Sequence, residues 1–218
     1  MPRRPSFERR RGAMVQHDIA ERGVDDPNVA AAMRQVPREE FVLPGDRDRA
    51  YEDHALPIGH GQTISQPFVV ALMLDALELR PEDRLLEIGS GSGYAAAIAS
   101  LLCRDVVGIE RVEALADESR SRLARLGYDR VTIRSADGTV GWPGGAPYDA
   151  ILVSAGAPEV PRALLDQLGA GGRLVIPVGP TDRSQRLVRV VRAGDTFDRT
   201  DLGAVAFVPL IGEQGWPT

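Results

Sequence analysis

The chain has 218 residues, 43% hydrophobic and 26% charged, with a formal net charge of −5. That length suits one domain with a core large enough to fold alone, and the composition excludes a disordered or fibrous chain. The acidic balance gives no general affinity for polyanions, and no apolar run approaches the roughly 20 residues a bilayer crossing needs, so neither nucleic acid nor a membrane is an expected partner.

Every basic residue is arginine, which removes lysine chemistry such as Schiff-base formation. Arg3, Arg4, Arg9, Arg10 and Arg11 crowd the first turns of chain, and no apolar segment follows them as a secretory leader would require. Residues 1–13 therefore read as a disordered, solvated tail. Cys103 is the only cysteine, so no intrachain disulfide forms and a reducing, cytoplasmic setting is expected. Its neighbours Leu101 and Leu102 mark it as buried filler.

Val15–Gly23 and Pro27–Val36 carry helical spacing, each closed by Gly or Pro. Phe41–Gln66 is loop-like, and Pro67–Leu77 returns to helical periodicity. From there strands and helices alternate: a strand at Arg84–Ile88, a helix at Tyr94–Leu102, a strand at Asp105–Ile109 and a helix at Val112–Leu126. Strands follow at Val131–Ser135 and Tyr148–Ser154, then a helix at Pro161–Leu168 and a strand at Arg173–Pro177. Such alternation predicts an α/β fold, a doubly wound and mostly parallel sheet with helices on both faces. Gln185–Arg192 and Ala204–Leu210, joined across Gly194-Asp195, predict an antiparallel C-terminal edge, and residues 14–78 form an N-terminal helical extension. The expected division is 14–78 for helices and a substrate loop, 79–180 for a cofactor-binding core and 181–218 for C-terminal strands, all one domain.

The chemistry gathers at Leu85-Leu86-Glu87-Ile88-Gly89-Ser90-Gly91-Ser92-Gly93-Tyr94. Glycines at a strand-to-helix turn let backbone approach a ligand where a Cβ would collide. The spacing Gly89, Gly91, Gly93 is Gly-x-Gly-x-Gly, unlike the Gly-x-Gly-x-x-Gly that cradles a pyrophosphate. Glu87 would repel a pyrophosphate but can pair with the cationic amino-acid end of S-adenosylmethionine. Glu110 ends the next strand about twenty residues on, where a carboxylate binds both ribose hydroxyls. Asp137, after the third strand, can accept from the adenine amino group. Either acid could instead cap a loop or helix. Asp149 begins its strand and reads as structural, and His17, His54 and His60 lack metal-ligand spacing, so no metal is expected. A nicotinamide oxidoreductase, which shares the sheet and the loop, is the main rival.

Further motifs narrow this. Ala50-Tyr51-Glu52-Asp53 and Leu56-Pro57-Ile58-Gly59-His60-Gly61-Gln62-Thr63-Ile64-Ser65-Gln66-Pro67 resemble the hallmark of protein-L-isoaspartate O-methyltransferases. Val36-Pro37-Arg38-Glu39-Glu40-Phe41-Val42, Tyr148-Asp149-Ala150-Ile151, the run Gly171–Gly179 and Phe207-Val208-Pro209-Leu210 extend the likeness, which covers everything from Met14 onward. The resemblance implies a class I, Rossmann-like methyltransferase with its last two strands exchanged relative to other members of that class. It also implies methyl transfer from S-adenosylmethionine to the free α-carboxylate of L-isoaspartyl residues in damaged proteins and peptides, with repair through a succinimide. The active-site serine would be Ser65, and cofactor contacts would fall on Gln62, Thr63, Ile64, Ser65, Ser92, Glu110, Arg111, Ala136 and Asp137. Ser154-Ala155-Gly156-Ala157-Pro158 departs from the more alanine-rich family run, and the C-terminal contacts do not align cleanly with Ile211–Trp216. A module that binds isoaspartyl sites without turnover, and a relative acting on one dedicated biosynthetic peptide, share these motifs. The expected assembly is a monomer. Ser65 could also be a plain helix cap before Pro67.

Overall fold

Capping residues and chain breaks set the N-terminal elements of the computed structural model, which describes residues 6–180 and 184–217. Helix α1 (Phe7–Ala13) starts at Ser6, whose hydroxyl accepts the Arg9 N–H. It runs into a π-helical stretch, Met14–Ile19, and a 3-10 turn, Ala20–Arg22, stopped by Gly23 at φ 90°. The expected disordered tail is thus corrected over Phe7–Ala13, while residues 1–5 lie outside the described residues. The reason is amphipathic: Phe7 packs on the apolar core with its ring 6.3 Å from that of Tyr51. Arg10 stacks by both rings and donates to the Asp48 carbonyl, so the arginines clothe the outer face. Helix α2 (Pro27–Gln35) is capped by Asp26, whose carboxylate accepts the Asn28 N–H.

The segment read as loop, Phe41–Gln66, holds structure of its own. A 3-10 turn covers Pro44–Arg49, and a small antiparallel hairpin pairs β1 (Leu56–Gly59) with β2 (Gln62–Ile64). Gly59, His60 and Gly61 reverse the chain at positive φ, the signal that made the stretch look like loop alone. Helix α3 (Pro67–Leu77) follows.

One seven-stranded sheet carries the rest, in the order β5-β4-β3-β6-β7-β8-β9. Strands β3 (Arg84–Ile88), β4 (Asp105–Glu110), β5 (Val131–Ser135), β6 (Tyr148–Val153) and β7 (Leu168–Val178) are parallel. Strands β8 (Gln185–Ala193) and β9 (Thr196–Val205) close the edge antiparallel, in the exchanged order the resemblance implies. Period-2 alternation splits the core. Leu85, Val106, Ala150, Leu152 and Val175 pack with α1–α3, α4 (Tyr94–Ala99) and α5 (Glu113–Leu126). Leu86, Ile88, Ile109, Ile151, Val153 and Ile176 face the opposite layer, which includes α6 (Arg162–Asp166).

Helices α4 and α6 are shorter than expected, ending at Ala99 and Asp166, and two strand boundaries differ further. Strand β7 begins at Leu168, because its glycines at 169, 171 and 172 form an irregular stretch between the pairs Tyr148↔Leu168 and Ala150↔Arg173. The last strand is Thr196–Val205 and not Ala204–Leu210: a charged, exposed edge strand carries no apolar signature. The apolar segment 206–210 leaves the sheet, with Phe207 and Leu210 buried. At the opposite end of the sheet from the glycine loop, buried Arg173 donates to the Leu77, Glu78 and Asp149 carbonyls and pairs with Asp83 at 2.5 Å. Asp149 accepts the Arg84 N–H there, the structural role its position suggested.

Removing residues 1–12 takes the Phe7 ring from the core and the Arg10 donor from Asp48. The truncated chain is expected to lose about 1–3 kcal/mol, the scale for burying one large apolar side chain. Urea unfolding checks this; an unchanged midpoint would return the whole segment to a solvated tail.

Candidate active site

The site begins where β3 ends. Gly89 at φ 76° and Gly91 at φ 50° turn the chain in a backbone region that favours glycine. Gly89 and Ser90 donate to the Ile109 carbonyl, which seats the loop on β4. A Cβ at Gly91 would stand 3.1 Å from the Ile58 side chain, so the β1–β2 hairpin presses on the loop from above. Gly93 serves a different contact: a Cβ there would meet Ser119 Oγ at 2.5 Å, on α5. The third glycine therefore permits helix packing and lines neither of the two cavities described next.

Glu110 ties this loop to the next turn. Its Oε2 accepts the Gly91 N–H at 2.9 Å and its Oε1 the Val112 N–H at 2.9 Å. Each carboxylate oxygen has two acceptor positions, so one on each remains available. Glu87 lies deeper, 1% exposed, and its Oε2 has no hydrogen-bond partner. Burial, reinforced by the nearby Glu110 charge, pushes its carboxyl up to about 8.

Three adjoining spaces open around these groups. The first, about 260 Å³, is walled by Gly61, Gln62, Thr63, Gly89, Gly91, Glu110, Arg111, Gly138 and Ser154, and closed by Val208–Ile211. The second is a narrow cavity between α3 and α4 that holds Glu87, Gly89, Gly91 and Ser92 with Thr63, Ile64, Ser65, Tyr94 and Ser154. The third is an open cleft of about 430 Å³ between Asp53–Ala55, Ser65, Gln66 and the segment 204–208. Thr63 and Ser154 border all three, and Ser65 separates the second from the third.

Most expected site residues therefore meet in one place, while Ala136 and Asp137 stand outside the lining. Ala136 uses its N–H on the Glu110 carbonyl. Asp137 caps a short turn, its Oδ1 accepting from the Thr139 N–H and hydroxyl, while Oδ2 accepts the Glu213 N–H at 2.9 Å. Those hydrogen bonds hold its carboxyl below the usual range despite partial burial, which works in the opposite direction. The acid fastens the C-terminal segment over the first cavity, with Thr139 Oγ1 accepting the Gln214 N–H beside it.

Ser65 does not cap α3. Gln66 holds the cap position, and Asp53 performs the capping chemistry: its Oδ1 accepts the Phe68 N–H at 3.1 Å, and its Oδ2 accepts from the Gln66 side chain. Arg22 pairs with that carboxylate at 2.5 Å and stacks 3.7 Å above the Phe68 ring. Among the described residues the Ser65 hydroxyl makes no hydrogen bond, while its carbonyl accepts Arg38 Nη2 at 2.7 Å. Asp53, Arg38, Ser154 and the segment 208–211 had no assigned part in the sequence reading. All of them stand inside stretches quoted above, which was their only signal.

A family model described as protein-L-isoaspartate(D-aspartate) O-methyltransferase matches residues 9–215. A protein-L-isoaspartate O-methyltransferase of Pelobacter propionicus is 57% identical over 210 residues, covering 96% of this chain and 93% of that one. Another from Rhodopseudomonas palustris is 55% identical over 212 residues, covering 97% and 86%. The solved structure of a Plasmodium falciparum beta-aspartate methyltransferase, in complex with S-adenosyl-L-homocysteine, superposes with TM-score 0.79 at 30% identity, covering 92% of this chain and 98% of that one.

Glu87 yields a pH prediction. Its folded-state carboxyl titrates near 8 and an unfolded one near 4.5, so the folded chain binds the proton more tightly. Its contribution to stability is complete below pH 4.5 and is lost as pH rises towards 8. Glu87→Gln is expected to flatten that fall in urea titrations across the window. An unaltered slope would mean Glu87 is already ionised in the folded chain.

Proposed function

The chain belongs to the protein-L-isoaspartate(D-aspartate) O-methyltransferase family, and from that premise we propose which of its residues carry the reaction. It is an S-adenosylmethionine-dependent protein carboxyl O-methyltransferase, acting on the free α-carboxylate of L-isoaspartyl residues in damaged proteins and so initiating repair through a succinimide.

The residues present fit the cofactor. The unpartnered, buried Glu87 Oε2 suits the ammonium of an amino-acid moiety. Glu110 keeps one acceptor position per oxygen for two ribose hydroxyls. Ile88, Ile109, Leu210 and Ile211 supply apolar walls for a base, and Gln62, Thr63 and Arg111 the polar rim. Bound there, the sulfonium supplies an electrophilic methyl group.

The acceptor carboxylate enters by the third cleft. An α-carboxyl has an intrinsic pKa of about 3.5, so it arrives ionised and no general base is needed. An oxygen–methyl bond forms as the sulfur–methyl bond breaks, and the bonding pair stays on sulfur. The protein's part is in-line positioning and partial removal of water. Ser65 donates one hydrogen bond to the carboxylate oxygen that does not react. The observation that carries this assignment is the uncommitted Ser65 hydroxyl at the junction of the cofactor-side cavity and the cleft.

The proposed division of the chain follows: residues up to 78 shape the acceptor cleft, 79–180 hold the cofactor, and the C-terminal segment closes both spaces. A monomer suffices, because every group named belongs to one chain. The buried thiol of Cys103 suits a reducing cytoplasm, and no helix among the described residues is long and apolar enough to cross a membrane.

The test uses one peptide in isoaspartyl and aspartyl forms, with radiolabelled methyl transfer by wild type and Ser65→Ala. Wild type is expected to label only the isoaspartyl form. Ser65→Ala should keep S-adenosylhomocysteine affinity and lose about ten- to hundredfold in rate, the scale of one charge-assisted hydrogen bond. Equal labelling of both peptides would rule out the isoaspartyl reading. An undiminished rate in Ser65→Ala would remove Ser65 from the reaction.

A further inference from the structure

Arg38 is the most deeply buried cation in the site's surroundings, with no exposed surface. Its guanidinium faces no carboxylate within ion-pair distance among the described residues, an arrangement that is costly to bury. It donates Nε to the Ala50 carbonyl at 2.8 Å and Nη2 to the Ser65 carbonyl at 2.7 Å, and it lies 4.8 Å from the Tyr94 ring centroid. Its Nη1 has no partner.

Those three contacts belong to three walls of the site. Ala50 leads into the turn that carries Asp53, Ser65 stands at the entrance to α3, and Tyr94 begins α4 directly after the glycine loop. A planar fork can hold two carbonyls at fixed spacing while stacking on a ring; an ammonium on a flexible stem cannot. Holding the Ser65 carbonyl fixes the peptide plane beyond that residue, and with it the position of Cβ from which Oγ turns among its staggered rotamers. Pro67 restricts Gln66 to extended conformations from the other side. Ser65 Oγ, which has no hydrogen bond of its own, is thereby aimed by its backbone.

We infer that Arg38 is the positioning residue for Ser65: by clamping the Ala50 and Ser65 carbonyls it fixes the Ser65 hydroxyl in line for the acceptor carboxylate. This rests on the proposed role of Ser65 and extends it to a residue that touches neither substrate nor cofactor. A loosely held donor costs rate through lost alignment, while the cofactor cavity is left in place.

The experiment is a double-mutant cycle on the full chain with Arg38→Lys and Ser65→Ala, following kcat and KM for an isoaspartyl peptide and binding of S-adenosylhomocysteine. Lysine reaches one carbonyl and not both. Arg38→Lys is expected to lower kcat about 30-fold in the Ser65 background and less than about threefold in the Ser65→Ala background, with S-adenosylhomocysteine affinity within about threefold of wild type throughout. If Ser65→Ala alone leaves the rate intact, the role of Ser65 fails. If Ser65→Ala lowers the rate and the two losses simply multiply, the Arg38 inference fails alone. A loss confined to peptide KM that persists in Ser65→Ala would overturn it in favour of charge attraction. Arg38→Gln, read in the same cycle, replaces Arg38→Lys if that variant does not fold. Failure of both to fold would make Arg38 a folding residue and overturn the inference as well.

Discussion

The site depends on one carboxylate bridging two turns. Glu110 accepts the Gly91 N–H with one oxygen and the Val112 N–H with the other, so the glycine loop after β3 and the turn after β4 share an anchor. Backbone amides at such turns need partners once water is excluded, and a buried anion supplies the strongest kind. With the loop so held, Gly89 and Gly91 form the floor of the first two cavities, and Ile58 of the hairpin rests on Gly91. The anchoring acid also keeps acceptor capacity towards the ligand, so the same group builds the pocket and recognises what enters it.

Around that anchor, polar side chains divide into those already satisfied and those left open. Asp53 is engaged on both oxygens by Phe68, Gln66 and Arg22, Asp137 Oδ1 by Thr139, and Arg173 by three carbonyls and Asp83. Glu87 Oε2 and the Ser65 hydroxyl are among those left open, with Arg38 Nη1, Ser90 Oγ and Tyr94 OH nearby, and these two lie on the path from cofactor cavity to acceptor cleft. A buried polar atom without a partner is destabilising in the free chain, which makes its retention informative about what binds. Those two groups differ in chemistry as the two ligands do. A carboxyl deep in the narrow cavity meets a cationic cofactor end, and a neutral hydroxyl at the cleft meets an anion whose nucleophilicity must survive.

What could be read from the sequence followed from local patterning. Apolar runs ending in Glu87 and Glu110 announced strand ends, and glycines after them announced a close approach, because period and turn chemistry are encoded within a few residues. The parts that escaped depend on contacts far along the chain. Asp137 meets Glu213 across 76 residues and Arg38 meets Ser65 across 27, and no window spans them. Phe7 alone marks the inner face of α1, too faint beside five arginines to signal a helix. The segment Ala204–Leu210 misled because its apolar character serves a cavity roof, whereas the true edge strand, Thr196–Val205, is polar by necessity. Gly93, read as part of a ligand cradle, also meets a packing need against Ser119 that no local pattern announces.

The central claim is that Glu110 both fixes the glycine loop and receives the cofactor, and calorimetry with S-adenosylhomocysteine on Glu110→Gln tests it most directly. An amide in that place has one acceptor oxygen for two backbone donors, and it carries no charge towards the ribose hydroxyls. The account predicts a roughly ten- to hundredfold loss of affinity in a chain that remains folded, the scale of a lost charge-assisted pair. Affinity unchanged from wild type would contradict it.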